Sequence, residues 1–356
     1  QSIKQQIIST DKMSLANQEV LQGLLSDSFT VYTQLKPLLP SSLEFQRLKN
    51  NLELSHQSLQ NLLPKLTSLK ASDFVDMVAF KDLHLTLSAV NELDFQLKNL
   101  NQSFQDIPKS QVPGLARDQF LDLQTQFAQL TTKVNFMIAN LNMLADFSGL
   151  KSTHRYLIAI QNNAEIRPLG GFSGLFALVN VSAGRIQDID VIDVYQLDGQ
   201  YLPHISPPPN LAGLNSKVFI RDLNYTSDPK VYLQLLKKEL ETLKFPSFDT
   251  AIIVNQSVFQ DILEILGDQK IPGRNFTLTP QNYFYALTLM IESEKAYMSD
   301  DKIVIKKTLA NIVPALQNVD NLNRFIKLGL REIQSSDLHI ITSNSDHQSI
   351  LQEINV

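Results

Sequence analysis

Hydrophobic positions in the first part of the chain recur at alternating spacings of three and four residues, which is typical of helices that pack along one seam. The clearest seam predicts a helix over about 116–146 and consists of Phe120, Leu123, Phe127, Leu130, Val134, Met137, Leu141 and Leu144. Further seams predict helices over about 83–107, about 48–69 and, more weakly, about 14–36. Four helices with one apolar stripe each predict an antiparallel bundle. The stripes could serve only to pack against one another, or the bundle could act as a spacer or as a stalk on which a partner docks.

From Arg155 onward the hydrophobic period changes towards two, which indicates β-strands. The pattern predicts strands at 156–160, 175–182, 186–194, 249–254 and 338–342, helices at about 229–243 and 257–266, and three more helical stretches up to about 334. Ala183-Gly184 predicts a hairpin turn, Asp228 predicts the N-terminal cap of a helix, and Gly267 indicates where a helix ends. The prediction is an α+β or α/β fold, with a helical bundle or stalk over 1–148 and a three-layer α/β domain with a mixed sheet over 149–356.

Composition narrows the class of protein. The 356 residues suggest two or three domains, and a formal net charge of −5 without a long basic run argues against nucleic acid as a partner. The chain has no cysteine, which excludes disulfides, zinc–thiolate sites and cysteine nucleophiles. No stretch is long and apolar enough for a membrane helix. Because the chain begins at Gln1, we expect that a signal or anchor segment precedes it.

Strong catalytic signatures are missing, but one polar and glycine-rich stretch, 161–174, separates two predicted strands. Ligand sites in α/β proteins collect in such loops. Arg167 is a candidate clamp for an anionic group, and the glycines would let backbone N–H groups approach it. The candidate ligand-binding residues here are Asn162, Asn163, Glu165, Arg167, Gly170 and Gly171. The alternative is a structural loop in which these side chains bond to each other.

A second candidate cluster follows at 221–228, where Arg221, Asp222 and Asn224 are possible ligand-binding residues. Asp222, Asn224, Thr226 and Asp228 alternate as at the start of a calcium loop, but Ser227 and Leu233 stand where glycine and glutamate are required. The plainer interpretation is a helix cap at Asp228 and an Arg221–Asp222 ion pair. Asp188, Asp190 and Asp193 favour a solvated strand face over a metal site. No metal site and no cofactor are therefore predicted.

Three stretches carry a resemblance to a known family: 155–174 (RYLIAIQNNAEIRPLGGFSG), 221–225 (RDLNY) and 248–255 (FDTAIIVN). They resemble the bacterial domain-of-unknown-function family number four thousand and twelve over about 150–345. Members typically have a membrane helix, then a helical region, then this domain outside the membrane. The resemblance thus implies an extracytoplasmic protein of the bacterial cell envelope, anchored through a segment that precedes this chain. It also implies that the natural domain continues past the present C-terminus.

The order of elements is also similar to that of the LytR–CpsA–Psr enzymes, which transfer lipid-linked glycopolymers to the bacterial wall. That resemblance implies a LytR–CpsA–Psr-like fold and a polyprenyl-pyrophosphate pocket, with Arg167 and Arg221 as phosphate ligands. However, the stretches that correspond to its Arg-Ser-Asp and Pro-Arg-Asp strings read Gly-Phe-Ser-Gly at 171–174 and Asp-Val-Tyr-Gln at 193–196.

Three functions remain open. The leading hypothesis is an extracytoplasmic envelope domain, leaning away from an enzyme, that binds an anionic or glycan-type ligand through the 161–174 and 221–225 loops. A glycan-binding module would present exposed aromatics, for which Tyr195, Tyr201 and Tyr225 are available. The alternative is a divergent glycopolymer phosphotransferase with Arg167, Arg221 and Asp222 in its site, a polyprenyl-phosphate-type ligand and magnesium. The third is a structural or adhesive scaffold.

Overall fold

The structure is a computed structural model that describes residues 36–68, 80–209, 216–270, 276–283, 285–286, 308–312, 315 and 319–353, with the single positions 23, 30 and 33. The chain divides into two compact units, Gln1–Ala145 and Asp146–Val356. The first is helical in its described parts, and the second contains a mixed sheet with helices. The fold class is therefore α+β.

Three long helices make up most of the described part of the first unit. They are α1 (Leu43–Ser68), α2 (Phe80–Gln105) and α3 (Arg117–Phe147), which continues into the second unit. The seam positions Leu48, Leu52, Leu59, Leu62, Leu87, Val90, Leu93, Leu97, Leu100, Phe104, Phe120, Leu123, Phe127, Leu130 and Val134 are buried. Near the end of α3, Met143 and Ala145 are buried while Met137 and Leu144 are half-buried. A straight helix has 3.6 residues per turn, so a three-four seam drifts around it.

Neighbouring helices of this unit run antiparallel. Asn51, near the start of α1, donates to Ser103 Oγ near the end of α2 at 2.7 Å. The Phe104 ring at the end of α2 meets the Phe120 ring at the start of α3 edge to face, with centroids 5.3 Å apart. The fourth helix, predicted over about 14–36, lies almost wholly outside the described residues.

The second unit is built on a five-stranded sheet. Its elements in chain order are β1 (His154–Arg167), β2 (Gly170–Ser182), β3 (Arg185–Asp193), α4 (Val194–Asp198), a 3-10 helix (Ile220–Tyr225), α5 (Pro229–Thr242), β4 (Thr250–Asn255), α6 (Ser257–Leu266), β5 (Gln269–Lys270), β6 (Thr277–Leu278), α7 (Val319–Gln334), β7 (Leu338–Thr342) and α8 (Ser345–Glu353). The strand order is β3-β2-β1-β4-β7. β1 and β4 are parallel and the other neighbours are antiparallel, so the predicted mixed sheet is confirmed.

Apolar cores lie on both faces of the sheet. Alternate strand residues such as Ile158 and Ile160 pack with Phe259 and Leu263 of α6, whereas Leu157 and Ala159 pack on the opposite face, where α5 lies. This alternation follows from the period of two along a strand. The second unit therefore has three layers, with its sheet in the middle. Among the described residues no helix is long and apolar enough to cross a membrane.

Two predictions of local structure are wrong. The stretch 161–174 is not a loop, because β1 continues to Arg167 and β2 begins at Gly170. Irregularities between Ile160 and Gln161 and between Asn162 and Ile166 let β1 stay paired with β2 at both ends of this stretch, although residues 163–165 have no partner on β2. The 221–225 stretch is likewise part of a 3-10 helix rather than a loop. Of the three helical stretches predicted before residue 334, the last is α7, and the others lie largely outside the described residues.

Candidate functional site

The two adjacent glycines, Gly170 and Gly171, hold the tip of the β1–β2 hairpin. Gly170 has a φ of +116°, and a Cβ there would lie 2.9 Å from Asn255 Oδ1 and from Gln161 Oε1. At Gly171 a Cβ would lie 2.3 Å from the carbonyl oxygen of Asn162. Both positions require glycine, because the backbone conformation at Gly170 and the adjacent strand at Gly171 leave no room for a side chain. The glycines therefore serve the turn and the close packing of the hairpin.

The polar residues at the end of β1 bond mainly to the β4–α6 junction. Asn162 Oδ1 accepts from the backbone N–H of Ala164 and from Gln256 Nε2, each at 3.1 Å. Asn163 Nδ2 donates to Ser257 Oγ at 3.1 Å. Parallel pairing of β1 with β4 brings these groups together, since residue 161 lies beside Asn255. Asn162 and Asn163 thus join β1 to the start of α6.

Asn224 lies inside the unit. Its side chain is fully buried, and Nδ2 donates to the carbonyl oxygen of Gly171 at 2.5 Å and to Ser173 Oγ at 3.3 Å. Ser173 Oγ also lies 3.1 Å from the hydroxyl of Tyr232 and 3.2 Å from Gln161 Nε2. A buried network of this kind stabilises one arrangement of the backbone. Asn224 therefore fixes the 3-10 helix to the hairpin.

Arg221, three residues earlier, is bound on several sides. Its Nη1 donates to Asp198 Oδ2 at 2.7 Å, and its Nε lies 3.8 Å from Asp222 Oδ2. The guanidinium also lies over the rings of Phe219, at 4.5 Å, and Tyr195, at 5.2 Å. The Arg221 side chain is 26% exposed. The predicted Arg221–Asp222 pair is present, but it is longer than the contact with Asp198.

Asp198 is a site residue that the sequence analysis missed. It ends the short helix α4, its side chain is 4% exposed, and Oδ1 accepts from the backbone N–H of Ile220 at 2.8 Å. Burial raises the pKa of the Asp198 carboxyl, and the Arg221 guanidinium and the Ile220 N–H oppose that shift. Asp198 therefore holds α4 and the 3-10 helix together through one carboxylate.

Arg167 and Arg221 border the same pair of aromatic rings. The Arg167 guanidinium lies 5.3 Å from the centroid of the Phe172 ring, and the centroids of Phe172 and Tyr195 are 6.1 Å apart. These distances are within the range of favourable cation–π and aromatic contacts. Phe172 is 9% exposed, whereas Tyr195 is 55% exposed. We call Arg167, Phe172, Tyr195 and Arg221 together the stacked surface.

Glu165 stands beside the stacked surface. Its Oε2 is 4.0 Å from Arg167 Nη2, and the two side chains are 54% and 32% exposed. Asn162 Nδ2 lies 3.5 Å from Glu165 Oε1, at the limit of a hydrogen bond. Arg167 Nη1 donates to the carbonyl oxygen of Ile166 at 3.1 Å. The Arg167–Glu165 pair is thus a loose, solvent-exposed ion pair.

The other tyrosines considered for an open groove are less accessible. Tyr201 is 4% exposed, and its hydroxyl donates to the buried carboxylate of Glu239 at 2.8 Å. Tyr225 is half-buried and packs against the core on the α5 side of the sheet. The prediction that Tyr201 is available for a surface groove is therefore wrong, because its hydroxyl is needed inside the unit.

The remaining acidic candidates have local roles or face solvent. Asp193 Oδ1 caps α4 through the N–H of Tyr195, and Asp228 Oδ1 caps α5 through the N–H of Lys230, as predicted for Asp228. Asp188 and Asp190 are exposed on β3. In the part of the chain that the structure describes, no three His, Asp or Glu side chains are grouped so that they could hold a metal ion.

Comparison with known proteins finds one family match within the second unit. Residues 151–289 match the family described as "Protein of unknown function (DUF4012)". This match confirms the family resemblance expected from the sequence. We call residues 151–289 the DUF4012 segment; it contains all four residues of the stacked surface. No curated protein matches the chain.

One solved structure, protein gbs0355 from Streptococcus agalactiae, is similar in part. It is 13% identical, covers 57% of this chain and 73% of its own, and superposes with a TM-score of 0.38. Neither this structure nor the DUF4012 match bears the LytR–CpsA–Psr name, so that resemblance stays a prediction.

Proposed function

We propose that the DUF4012 segment is a glycan-binding module of an extracytoplasmic cell-envelope protein, and that its ligand lies on the stacked surface. The observation that carries this proposal is the Tyr195 ring, which is 55% exposed yet contacts Phe172 on one side and the Arg221 guanidinium on another. An aromatic ring held in one orientation offers a flat apolar face to the C–H groups of a sugar at little entropic cost.

Charged groups around Tyr195 supply the polar half of such a site. Arg221 presents N–H donors. The Asp222 carboxylate has its Oδ2 buried 3.8 Å from Arg221 Nε, so its other oxygen is the candidate acceptor for a sugar hydroxyl. Because Asp198 already binds Arg221, the guanidinium is oriented before a ligand arrives. This arrangement favours a hydroxyl-rich ligand over a small inorganic anion.

In this proposal the other candidate residues are a framework for the site. The side-chain amide of Asn163 donates to Ser257, and that of Asn224 donates to the Gly171 carbonyl oxygen. The hairpin requires the two glycines. They hold the backbone on which Arg167, Phe172 and Arg221 stand. We therefore assign ligand contacts to the side chains of the stacked surface and positioning roles to the asparagines and glycines.

The phosphotransferase alternative requires Arg167, Arg221 and Asp222 to hold a pyrophosphate and magnesium. Arg221 instead has its shortest contact with a nearly buried aspartate, which would compete with a phosphate for the same N–H group. The scaffold alternative requires Arg167 to be buried and tightly paired, whereas its side chain is 32% exposed and Glu165 is 4.0 Å away. Both observations favour a binding module. Its placement outside the cytoplasm rests on the family resemblance alone.

The test compares two exposed tyrosines in the intact chain. The purified protein is screened on an array of bacterial polysaccharides, and hits are measured by isothermal titration with the parent, Tyr195→Ala and Tyr285→Ala. Tyr285 is 68% exposed and lies outside the stacked surface. We expect Tyr195→Ala to weaken binding at least about tenfold, as for a central aromatic contact. Equal loss in both variants, or no loss in Tyr195→Ala, would show that the stacked surface is not the site.

A further inference from the structure

We infer that the ligand is an acidic glycan, whose sugar ring stacks on Tyr195 and whose carboxylate or phosphate pairs with Arg167. This inference rests on the proposed function and adds the chemical class of the ligand. It follows from a difference between the two arginines of the stacked surface. The sequence alone does not distinguish them, because both are basic residues in polar stretches.

Arg221 is electrostatically satisfied within the protein. Its 2.7 Å hydrogen bond to Asp198, 4% exposed, and its approach to Asp222 place two carboxylates beside one guanidinium. An anionic ligand at Arg221 would meet the field of both carboxylates. Arg221 therefore orients Tyr195 and donates to neutral oxygens, and it does not select for charge.

Arg167 has no comparable partner among the described residues. The one carboxylate within 4.0 Å is that of Glu165, which is more than half exposed and can turn into solvent. The hydrogen bond to the carbonyl oxygen of Ile166 uses a single N–H of Nη1. A guanidinium has five N–H donors in a planar fork that fits carboxylate and phosphate oxygens. Arg167 can therefore accept an anionic group by displacing one loosely held side chain.

The spacing of the two groups suits neighbouring parts of one ligand. Arg167 and Tyr195 both contact Phe172, at 5.3 Å and 6.1 Å. Arg167 and Tyr195 can therefore be no farther apart than these two distances combined, which is within reach of neighbouring residues of one sugar chain. A chain that stacks one sugar on Tyr195 places an acidic substituent of that sugar or of its neighbour beside Arg167.

Glu165 and an acidic ligand would compete for the Arg167 guanidinium. If Arg167 binds an acidic group, the Glu165 carboxylate competes for the guanidinium and repels the ligand. Glu165→Gln should then strengthen binding of acidic glycans while it leaves neutral glycans unaffected. A purely structural Arg167–Glu165 pair predicts no gain for any ligand.

The experiment uses the intact chain and two matched pairs of probes. Oligogalacturonate is compared with its methyl-esterified, uncharged form, and phosphomannan is compared with the same mannan after removal of phosphate. Binding of each is measured by affinity electrophoresis for the parent, Arg167→Gln, Glu165→Gln and Tyr195→Ala, at low and high salt. The two pairs distinguish a carboxylate ligand from a phosphate ligand.

We expect at least one acidic probe to bind the parent about fivefold more tightly than its neutral counterpart, consistent with an exposed ion pair. Arg167→Gln should abolish this preference, because it weakens binding of the acidic probe more than binding of its neutral counterpart. Glu165→Gln should increase the preference, and salt should reduce it. Equal binding of acidic and neutral probes through Tyr195, or a preference that survives Arg167→Gln, overturns the inference and leaves the glycan-binding proposal intact. If none of the four probes binds in a way that depends on Tyr195, the inference fails for these acids. If the polysaccharide array is also negative, the proposed function fails with it.

Discussion

The guanidinium of Arg221 donates a 2.7 Å hydrogen bond to the carboxylate of Asp198, although that carboxylate is almost completely buried. The same carboxylate accepts from the backbone N–H of Ile220. Two elements that are separated by more than twenty residues in the sequence are therefore joined through one side chain. This link fixes the position of Tyr195, because Tyr195 lies on the same short helix as Asp198.

Asp198→Ala should destabilise the second unit by about 2–3 kcal/mol, because it leaves the Ile220 N–H without its acceptor and removes the closer of the two carboxylates beside Arg221. Asp198→Asn keeps an acceptor for the N–H and avoids burying a charge, so we expect a loss of about 1 kcal/mol. Urea unfolding followed by tyrosine fluorescence measures both, since eight of the nine tyrosines follow residue 145 and the chain has no tryptophan. Full stability in Asp198→Ala would show that Asp198 is not a link.

Gly171→Ala should destabilise the second unit by about 3 kcal/mol, because the new Cβ would meet the Asn162 carbonyl oxygen at 2.3 Å. Gly329→Ala in α7 is the control, because its φ is not positive and nothing lies within 4 Å of a Cβ there. We expect that variant to keep its stability or gain up to about 1 kcal/mol, since alanine is a better helix former than glycine. Urea midpoints of the two variants provide the comparison, and equal losses would contradict the importance of close approach at the hairpin.

Asn224→Asp should be severely destabilising at neutral pH even though it preserves the shape of the side chain. The amide donor that binds the Gly171 carbonyl would become a carboxylate oxygen without a proton, and its charge would be buried. We expect a loss of about 3 kcal/mol or more that shrinks as the pH falls and the carboxyl is protonated.

Asn344→Asp is the control for the same chemical change. Asn344 Oδ1 accepts from the N–H groups of Asp346 and His347 at the start of α8, where aspartate serves equally well. Thermal unfolding should show little change for this variant at neutral pH, and its stability relative to the parent should not rise as the pH falls. A pH-independent loss in Asn224→Asp would argue against a buried charge as the cause.

The second unit should lose stability as the pH falls below about 6.5, because burial lowers the pKa of His154, His339 and His347. Asp249 and Asp146 oppose the pKa shift at His154, Asp146 also opposes the pKa shift at His347, and burial outweighs both effects. The unfolded chain therefore takes up protons first, near the ordinary value of 6.5, and the free energy of unfolding falls until the folded histidines are also protonated.

Urea unfolding at several values between about pH 7.5 and 5.5 measures this dependence. In His347→Gln the slope should be smaller, because one of the three histidines no longer titrates. An unfolding free energy that rises on acidification, or a slope unchanged in the variant, would contradict the assignment.

Much of the fold was predictable because its signals are local. The α6 helix and β7 have the predicted bounds, and Asp228 caps α5 as its position before Pro229 indicates. The end of β1 was not predictable from periodicity. Five of the seven residues in 161–167 are polar. The segment stays in a strand because β2, Gln256 and Ser257 provide partners that a single stretch of sequence does not reveal.

The candidate site was predictable only in part, for the same reason. Arg167 and Arg221 stand out as basic residues in polar stretches, and the structure brings both to the rings of Phe172 and Tyr195. Asp198 carries no local signal, because it is one acidic residue at the end of a five-residue helix. Its pairing with Arg221 joins two residues that are 23 positions apart in the sequence, and no local pattern reveals such a contact.

The central position of β1 also has a consequence for the order of folding. On one side β1 pairs with β2, its neighbour in the chain, while on the other side Tyr156 pairs with Thr250, far away in the sequence. Contacts between distant residues form late, since a long loop must close before they stabilise the chain. We expect the β1–β2–β3 meander to be formed in the transition state and β4 to join afterwards. Truncating Ile253 in β4 should therefore speed unfolding and leave the folding rate almost unchanged, whereas truncating Phe176 in β2 should slow folding.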